Sequence, residues 1–269
     1  MPVRNGLLSL VFHALFIGFI LAPLVVVCLI AFTSEAHISY PWNGLSLRWF
    51  RAILEHPEFV DAFFFSVVLG LVSATVAIAV SIPVALAISR HTFAGRQVLM
   101  TFLLSPLLIP QVVLGVSFLR FFTGVGLSGT AVALLIAHVI VVVPFALRLV
   151  LSSTAGYDRS LESAALSLGA SQWTVFRRIV LPLILPGVVS GWTIAFITSF
   201  DELTMSIFLA GPYTTTLPVR MYFHVEDVID PLIAAISAII IYMTLIAIFI
   251  LDRTIGLETL FVGASKRER

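Results

Sequence analysis

The feature that most constrains this chain is a series of long apolar stretches that carry few charges. A helix of about 20 apolar residues crosses about 30 Å of hydrocarbon, and lipid offers the backbone no hydrogen-bond partner, so spanning segments must be helical. With 60% hydrophobic and 11% charged residues, a soluble globule would expose large apolar patches. The sequence therefore predicts an all-α integral membrane protein with six transmembrane helices, near residues 7–32, 63–89, 98–121, 129–150, 183–203 and 232–251.

The positions of the basic residues predict the orientation of these helices. Lys and Arg near helix ends are retained on the cytoplasmic side of a membrane. Six spans place both termini on one side, and eleven of the fifteen basic residues fall there: Arg4, Arg90, Arg96, Arg148, Arg159, Arg177, Arg178, Arg253, Lys266, Arg267 and Arg269. We therefore expect cytoplasmic termini and a cytoplasmic loop at 151–180. The segment 7–30 is interpreted as a retained first helix, because it is long and precedes further spans.

The sequence does not predict chemistry on this chain. No extramembrane segment is longer than about 30 residues, which is too short for a separate nucleotide-binding domain. We find no Gly-rich phosphate loop with its Lys, no paired His at helical spacing and no Gly-x-Ser-x-Gly motif. The six His residues are scattered and Cys28 is the only cysteine, so the sequence predicts no metal site, no catalytic residue and no internal disulfide. Uphill transport would need energy from a partner or from an ion gradient.

The cytoplasmic loop is predicted to form a helix-turn-helix. Asp158 or Ser160 is suited to cap a first short helix. Gly169 is suited to end it in the left-handed conformation, and Ser171 to cap a second helix over 172–179. The first helix is expected to offer one apolar face to a groove on a partner, formed by Leu161, Ala164, Ala165 and Leu168.

This loop resembles the permease subunits of type I bacterial ABC importers. Their signature is Glu-Ala-Ala, three residues, Gly, nine residues, then Ile-x-Leu-Pro. It corresponds here to Ser163-Ala164-Ala165, Gly169 and Ile179-Val180-Leu181-Pro182, with Ser163 in place of the signature Glu and Glu162 one position earlier. The resemblance implies a MetI-like transmembrane domain whose loop, at 159–178, docks on a cytoplasmic ATPase that holds ATP and Mg; this chain itself would bind no cofactor. The implied coupling residues are Glu162, Ser163, Ala164, Ala165, Leu168, Gly169, Ala170 and Ser171.

A second stretch is similar to the second permease subunit of spermidine/putrescine importers. The resemblance is carried by Ser199-Phe200-Asp201-Glu202-Leu203-Thr204, Phe208-Leu209-Ala210-Gly211-Pro212 and Thr216-Leu217-Pro218-Val219. It implies a polyamine cargo, a location in the bacterial inner membrane, a second homologous permease, an ATPase dimer and an extracytoplasmic binding protein. The alternatives are an importer for another small solute, such as an opine or amino-acid-like compound, and an ion-gradient-driven secondary transporter or channel subunit.

The domain boundaries follow from these assignments. Residues 1–62 hold the first helix and an extracytoplasmic segment, 63–252 form the importer domain with its loop at 151–180, and 253–269 form a basic cytoplasmic tail.

Polar residues and prolines inside the apolar runs are candidates for the solute path. Asp201 and Glu202 lie near the outer end of the fifth span, where they either line an aqueous path or cap a helix or contact another subunit. Gln111 and His138 are also polar within spans, although a histidine there is more often an interhelical hydrogen-bonding residue. Bends are predicted where proline removes a backbone hydrogen bond, at Pro106, Pro110, Pro182 and Pro186.

Overall fold

The computed structural model describes residues 6–40 and 44–255, and every regular element in these ranges is helical. The predicted all-α class is therefore confirmed for these residues, while most of the predicted basic tail, residues 256–269, lies outside them. The helices are α1 (Leu7–Ile30), α2 (Arg48–Glu55), α3 (Pro57–Arg90), α4 (Arg96–Leu104), α5 (Gln111–Gly124), α6 (Ala131–Ala155), α7 (Ser160–Ser167), α8 (Gln172–Val175), α9 (Leu181–Phe200), α10 (Ser206–Leu209), α11 (Leu217–Asp227) and α12 (Leu232–Ile255).

Among the described residues, four helical segments are long and apolar enough to cross a membrane, and a bent pair would make a fifth if it forms one span. The four are Ser9–Ile30, Pro57–Arg90, Ala131–Ala155 and Gln172–Phe200, and the bent pair is Arg96–Leu108 with Gln111–Gly124. The sixth predicted span falls on α12, whose continuously described apolar part, Leu232–Ile246, is shorter than a span. The count of six therefore stays a prediction.

The third predicted span is broken rather than gently curved. A 3₁₀ turn, Ser105–Leu108, follows α4, and the chain turns by 104° before α5 begins. Ile109 at the break is extended (φ −96°, ψ 129°) and Pro110 starts α5. A residue before proline is disfavoured in the α conformation, and β-branched isoleucine adds to this preference. Pro110 therefore interrupts the helix at Ile109, with Pro106 in the 3₁₀ turn before it.

The fifth span begins earlier than predicted. A π-helical turn, Phe176–Val180, joins α8 to α9 without a break, so one helix runs over Gln172–Phe200. The second loop helix was expected to be a separate surface helix, and this expectation was wrong. Pro182 directly follows the π turn, at the second position of α9, and the helix continues through it.

Contacts divide the described residues into two compact units, residues 61–220 with 252–255, and residues 6–40 and 44–60 with 221–251. In the larger unit, α6 and α9 form the most extensive helix pair. Small buried residues of α9, Gly187, Gly191 and Ala195, recur every four residues, which lets helix backbones approach closely. A Cβ at Gly187 would collide with Ser153 and with the backbone carbonyl of Leu149.

The smaller unit holds α1, α2 and α12. The Trp49 Nε1 donates to the Glu35 carbonyl at 3.1 Å, which fixes α2 against the segment that follows α1. Asp230 Oδ1 accepts from the Leu232 backbone N–H at 3.0 Å and lies 3.2 Å from His224 Nε2. Asp230 thus caps α12 and ties it to the end of α11.

Candidate functional site

The cytoplasmic loop predicted from the sequence begins with a hydrogen-bonded turn at Asp158. The Asp158 carboxylate accepts from the Ser160 backbone N–H at 2.9 Å and from the Ser160 hydroxyl at 2.7 Å. These bonds favour the ionised form, so they lower the pKa of Asp158 below its ordinary value. Of the two residues proposed as caps, Asp158 therefore supplies the contact that leads into α7.

The turn after α7 is a Schellman motif centred on Gly169. The Gly169 N–H donates to the Leu166 carbonyl at 2.9 Å, and the Ala170 N–H donates to the Ala165 carbonyl at 3.1 Å. Gly169 has φ +85°, and a Cβ there would meet nothing within 4 Å. The predicted left-handed glycine is thus confirmed, and it is required by the backbone conformation rather than by lack of space.

Ser171 begins the second helix of the loop, as predicted. Its hydroxyl accepts from the Thr174 backbone N–H at 3.2 Å and lies 2.8 Å from the Thr174 hydroxyl. The turn between Gly169 and Ser171 is therefore fixed on both sides by local hydrogen bonds.

Glu162 faces the protein rather than a partner. Its carboxylate lies 2.8 Å from a guanidinium nitrogen of Arg90, the last residue of α3, and accepts from the Tyr157 hydroxyl at 2.5 Å. The same Arg90 nitrogen donates to the Tyr157 oxygen at 3.2 Å. Burial, followed by donation to Glu162, raises the pKa of Tyr157, so its hydroxyl remains a donor at neutral pH.

We call Arg90, Tyr157 and Glu162 the loop clamp. Arg90 and Glu162 are separated by 72 positions, so the clamp ties α7 to the end of a membrane-spanning helix. The neighbouring Arg159 guanidinium also donates to the Ser89 carbonyl of α3. In the sequence, Arg90 indicated only the orientation of the helices, and no pattern indicated Tyr157. The sequence signal that could have indicated the clamp is Glu162, which lies one position before the signature glutamate.

Several apolar residues of the loop are exposed, and we call four of them the coupling surface: Leu161, Ala164, Leu168 and Trp173; Leu166 is exposed as well. Leu168 is 89% exposed and Trp173 is 68% exposed, and the Trp173 ring stacks on Phe176. Ala165 was predicted on this face, but it packs with Ala170 against the core formed by α3, α6 and α9. One side of α7 thus anchors the loop, and the other side presents large apolar side chains. Ser163 is also exposed.

His138 and Glu202 lie in one buried polar cluster of the larger unit. Glu202 is 5% exposed and accepts from the backbone N–H groups of Met205 and Ser206, at 2.7 and 2.8 Å. The Ser206 hydroxyl donates to Glu202 at 2.6 Å, and His138 Nε2 lies 2.9 Å from the Ser206 oxygen. Since a carboxylate only accepts, Ser206 must accept from a protonated Nε2. Nδ1 then accepts from the Ser199 hydroxyl at 2.8 Å.

The four polar candidates for the solute path differ in burial, because two of them belong to this cluster and two do not. Glu202 caps the short α10, which was one of the two alternatives left open by the sequence, and His138 bridges α6 to α9 and α10. Asp201 and Gln111 are exposed, at the end of α9 and the start of α5. The structure therefore brings Glu202 and His138 together in the protein interior and leaves Asp201 and Gln111 on the surface of this chain.

Comparisons with known proteins indicate the family of this chain. Residues 77–255 match the family described as "Binding-protein-dependent transport system inner membrane component". The chain is 32% identical to the spermidine/putrescine transport system permease protein PotC of Haemophilus influenzae, over 94% of this chain and 96% of the relative. It is 29% identical to the putrescine transport system permease protein PotI of Escherichia coli K12, over 90% and 88%.

A solved structure shares the fold. It is a chain of a bacterial ABC transporter involved in the import of the acidic polysaccharide alginate, with a TM-score of 0.72 and 15% identity over 97% of this chain and 99% of that chain.

Proposed function

Because this chain belongs to the family of binding-protein-dependent transport system inner membrane components, we propose that it is a permease subunit of an ATP-driven importer that forms half of the path for a polyamine. It is a transport subunit and not an enzyme. ATP and Mg would be bound by a separate ATPase dimer, and a second homologous permease would complete the path. We place both termini in the cytoplasm, because that orientation puts eleven of the fifteen basic residues inside.

The observation that carries this proposal is the coupling surface. Exposed side chains of the size of Leu168 and Trp173 on a polar loop mark a protein contact site, and an apolar groove accepts such residues as anchors. The loop clamp and the Gly169 turn hold the surface in a fixed geometry, which reduces the entropy lost on docking. The surface would therefore be the docking site for the ATPase.

The structure favours distinct roles for the two residues at the start of the signature. Glu162 is engaged by Arg90 and Tyr157, so we assign it to positioning the loop. Ser163 is exposed, so it is the residue that would face the ATPase. The acidic contact expected from the resemblance would then be replaced by a neutral hydroxyl in this chain.

A polyamine cargo is supported by the names of the relatives and by the chemistry of the exposed path candidates. Asp201 is a carboxylate at the outer end of α9, where it would attract a polyammonium ion, and Gln111 would offer an amide oxygen. Glu202 and His138 would not contact the solute. They would stabilise α10 and so help to maintain the shape of the path.

The docking proposal is tested by replacing Leu168 with Glu. The full chain is co-expressed with its neighbouring permease and ATPase, and the ATPase that copurifies is quantified. Leu168→Glu should abolish copurification, because it places a charge in an apolar groove. Leu54→Glu is the matched control, since Leu54 is 78% exposed on α2, far from the loop in sequence, and it should leave assembly unchanged. Equal copurification with both variants would overturn the docking assignment.

The cargo is tested with the same complex in liposomes. Spermidine- or putrescine-loaded binding protein should stimulate ATP hydrolysis and drive uptake. Stimulation only by another solute would keep the importer and reject the polyamine. Uptake by the chain alone, driven by an ion gradient without ATP, would reject the importer and establish the secondary transporter.

A further inference from the structure

A cavity of about 900 Å³ opens in the larger unit beside the loop. Its walls come from the end of α3, the turn that follows it, α4, the end of α6, and Arg159 just before α7. These are the ends of membrane-spanning helices, so the cavity lies at the depth where lipid headgroups meet the protein.

The charged residues that line this cavity are cationic. Arg96 and Arg159 line it, and neither Asp nor Glu is among its lining residues. Arg96 is exposed and, in the part of the chain that the structure describes, makes no ion pair. Arg159 uses part of its guanidinium to donate to Ser89, and the five donors of an arginine leave others available.

The backbone adds to this positive potential. Gly95 and the first residues of α4 line the cavity, and the first turn of α4 contains no acidic residue and no side-chain cap. The positive end of the α4 dipole is therefore not neutralised from within the helix.

Apolar side chains also line the cavity. They include Phe93, Val98, Leu104 and Leu151, and Val98 is 73% exposed. A soluble anion would use the arginines but would gain nothing from these side chains. A molecule with an anionic head and a hydrocarbon tail uses both.

We propose that this cavity binds an anionic phospholipid, whose phosphate contacts Arg96 and Arg159 and whose acyl chains lie along the apolar side chains. The bound lipid would join α4 to the segment that starts the coupling loop. The proposal does not depend on the transported solute or on ATPase docking, and its test measures lipid binding alone.

The test uses the purified full-chain complex after delipidation. Phosphatidylglycerol or phosphatidylcholine is added, and the bound lipid is counted by native mass spectrometry. We expect phosphatidylglycerol to be retained in preference, and Arg96→Gln to weaken its binding roughly fivefold, the effect of one cation near a lipid surface. Gln97→Glu, which places a negative charge in the cavity, should weaken it at least as much. Arg148→Gln is the control, because Arg148 is an exposed arginine of α6 that does not line the cavity.

Four outcomes would overturn the proposal. Equal retention of both lipids would exclude selectivity for the anionic headgroup. Unchanged binding in both cavity variants would place the lipid elsewhere. Displacement of the lipid by inorganic phosphate would identify a simple anion site. Loss of subunit assembly with unchanged lipid binding would identify Arg96 as a contact to a partner protein.

Discussion

Removing the Arg90 side chain should release the coupling loop from the membrane-spanning core. In the loop clamp, the Arg90 and Glu162 side chains are 26% and 15% exposed, and their charged atoms lie 2.8 Å apart. Exposed ion pairs contribute about 0.2–1 kcal/mol, whereas breaking a buried pair costs about 3–5 kcal/mol. A pair of intermediate burial should therefore contribute about 2 kcal/mol, within the range for hydrogen bonds to charged groups.

Hydrogen exchange reports this free energy directly. The backbone amides of Leu168, Gly169 and Ala170 are protected by the bonds that form the α7 end and its turn. If local opening governs exchange, a loss of about 2 kcal/mol accelerates exchange at these amides by about 30-fold. We expect this acceleration for Arg90→Met and a smaller one for Glu162→Gln, which keeps the Tyr157 contact but loses the charge.

A double-mutant cycle separates the pair from its surroundings. Because both substitutions remove the same interaction, the double variant should exchange no more than a few-fold faster than Arg90→Met alone. Arg148→Met, which removes an exposed arginine of α6, should leave exchange in the loop unchanged. If the effects of the two clamp variants are additive, or if Arg90→Met leaves the loop protected, Arg90 does not hold the loop and the clamp is refuted.

Four further predictions concern local features. Gly169→Ala should destabilise the loop by about 1–2 kcal/mol through its positive φ, and Gly169→Asn by less, as measured by exchange at the same amides. Gly187→Ala should destabilise the α6–α9 pair by about 1–3 kcal/mol and lower the Tm of the complex, whereas Gly124→Ala, which meets nothing within 4 Å, should not. His138→Ala should leave the buried Ser199 hydroxyl without its partner and remove the donor to Ser206, cost about 1–3 kcal/mol and lower the Tm. The pKa of Tyr157 is raised, so its hydroxyl still donates its hydrogen bond below the ordinary tyrosine pKa. The bond is lost only as the pH rises through the shifted pKa. Loop protection, corrected for intrinsic exchange rates, should therefore be constant from about pH 6 to 9.

The features that sequence analysis predicted well are those encoded by neighbouring residues. Asp158, Gly169 and Ser171 each act on backbone groups within a few positions, so the start of α7, the Schellman turn and the cap of α8 were all expected. The loop clamp joins residues 72 positions apart, and no local pattern indicates such a contact. His138 was expected as an interhelical hydrogen-bonding residue, but its partners were not predicted for the same reason, because Ser199 and Ser206 lie more than 60 positions away.

The proline pairs show where a local pattern is ambiguous. Pro106 and Pro110 resemble Pro182 and Pro186 in spacing, yet the first pair lies at a 104° break and the second within a continuous helix. The difference lies in the preceding residues and in the packing. Ile109 is extended, whereas Leu181 keeps helical angles (φ −58°, ψ −46°) in a helix packed closely on α6. Proline spacing alone therefore does not determine the path of the backbone.

The uninterrupted helix over Gln172–Phe200 has a mechanical consequence. With 29 residues it is about 43 Å long, and its inner end is part of the coupling surface, so a span that moves as one body would act as a lever. A sideways push of one helical pitch, about 5.4 Å, at that end would tilt a rod pivoted at the other end by roughly 7°. If the proposed ATPase docks at this end, small displacements there would become rotations of the whole span. Gly187 and Gly191 on α9 would then determine how easily the span moves along α6.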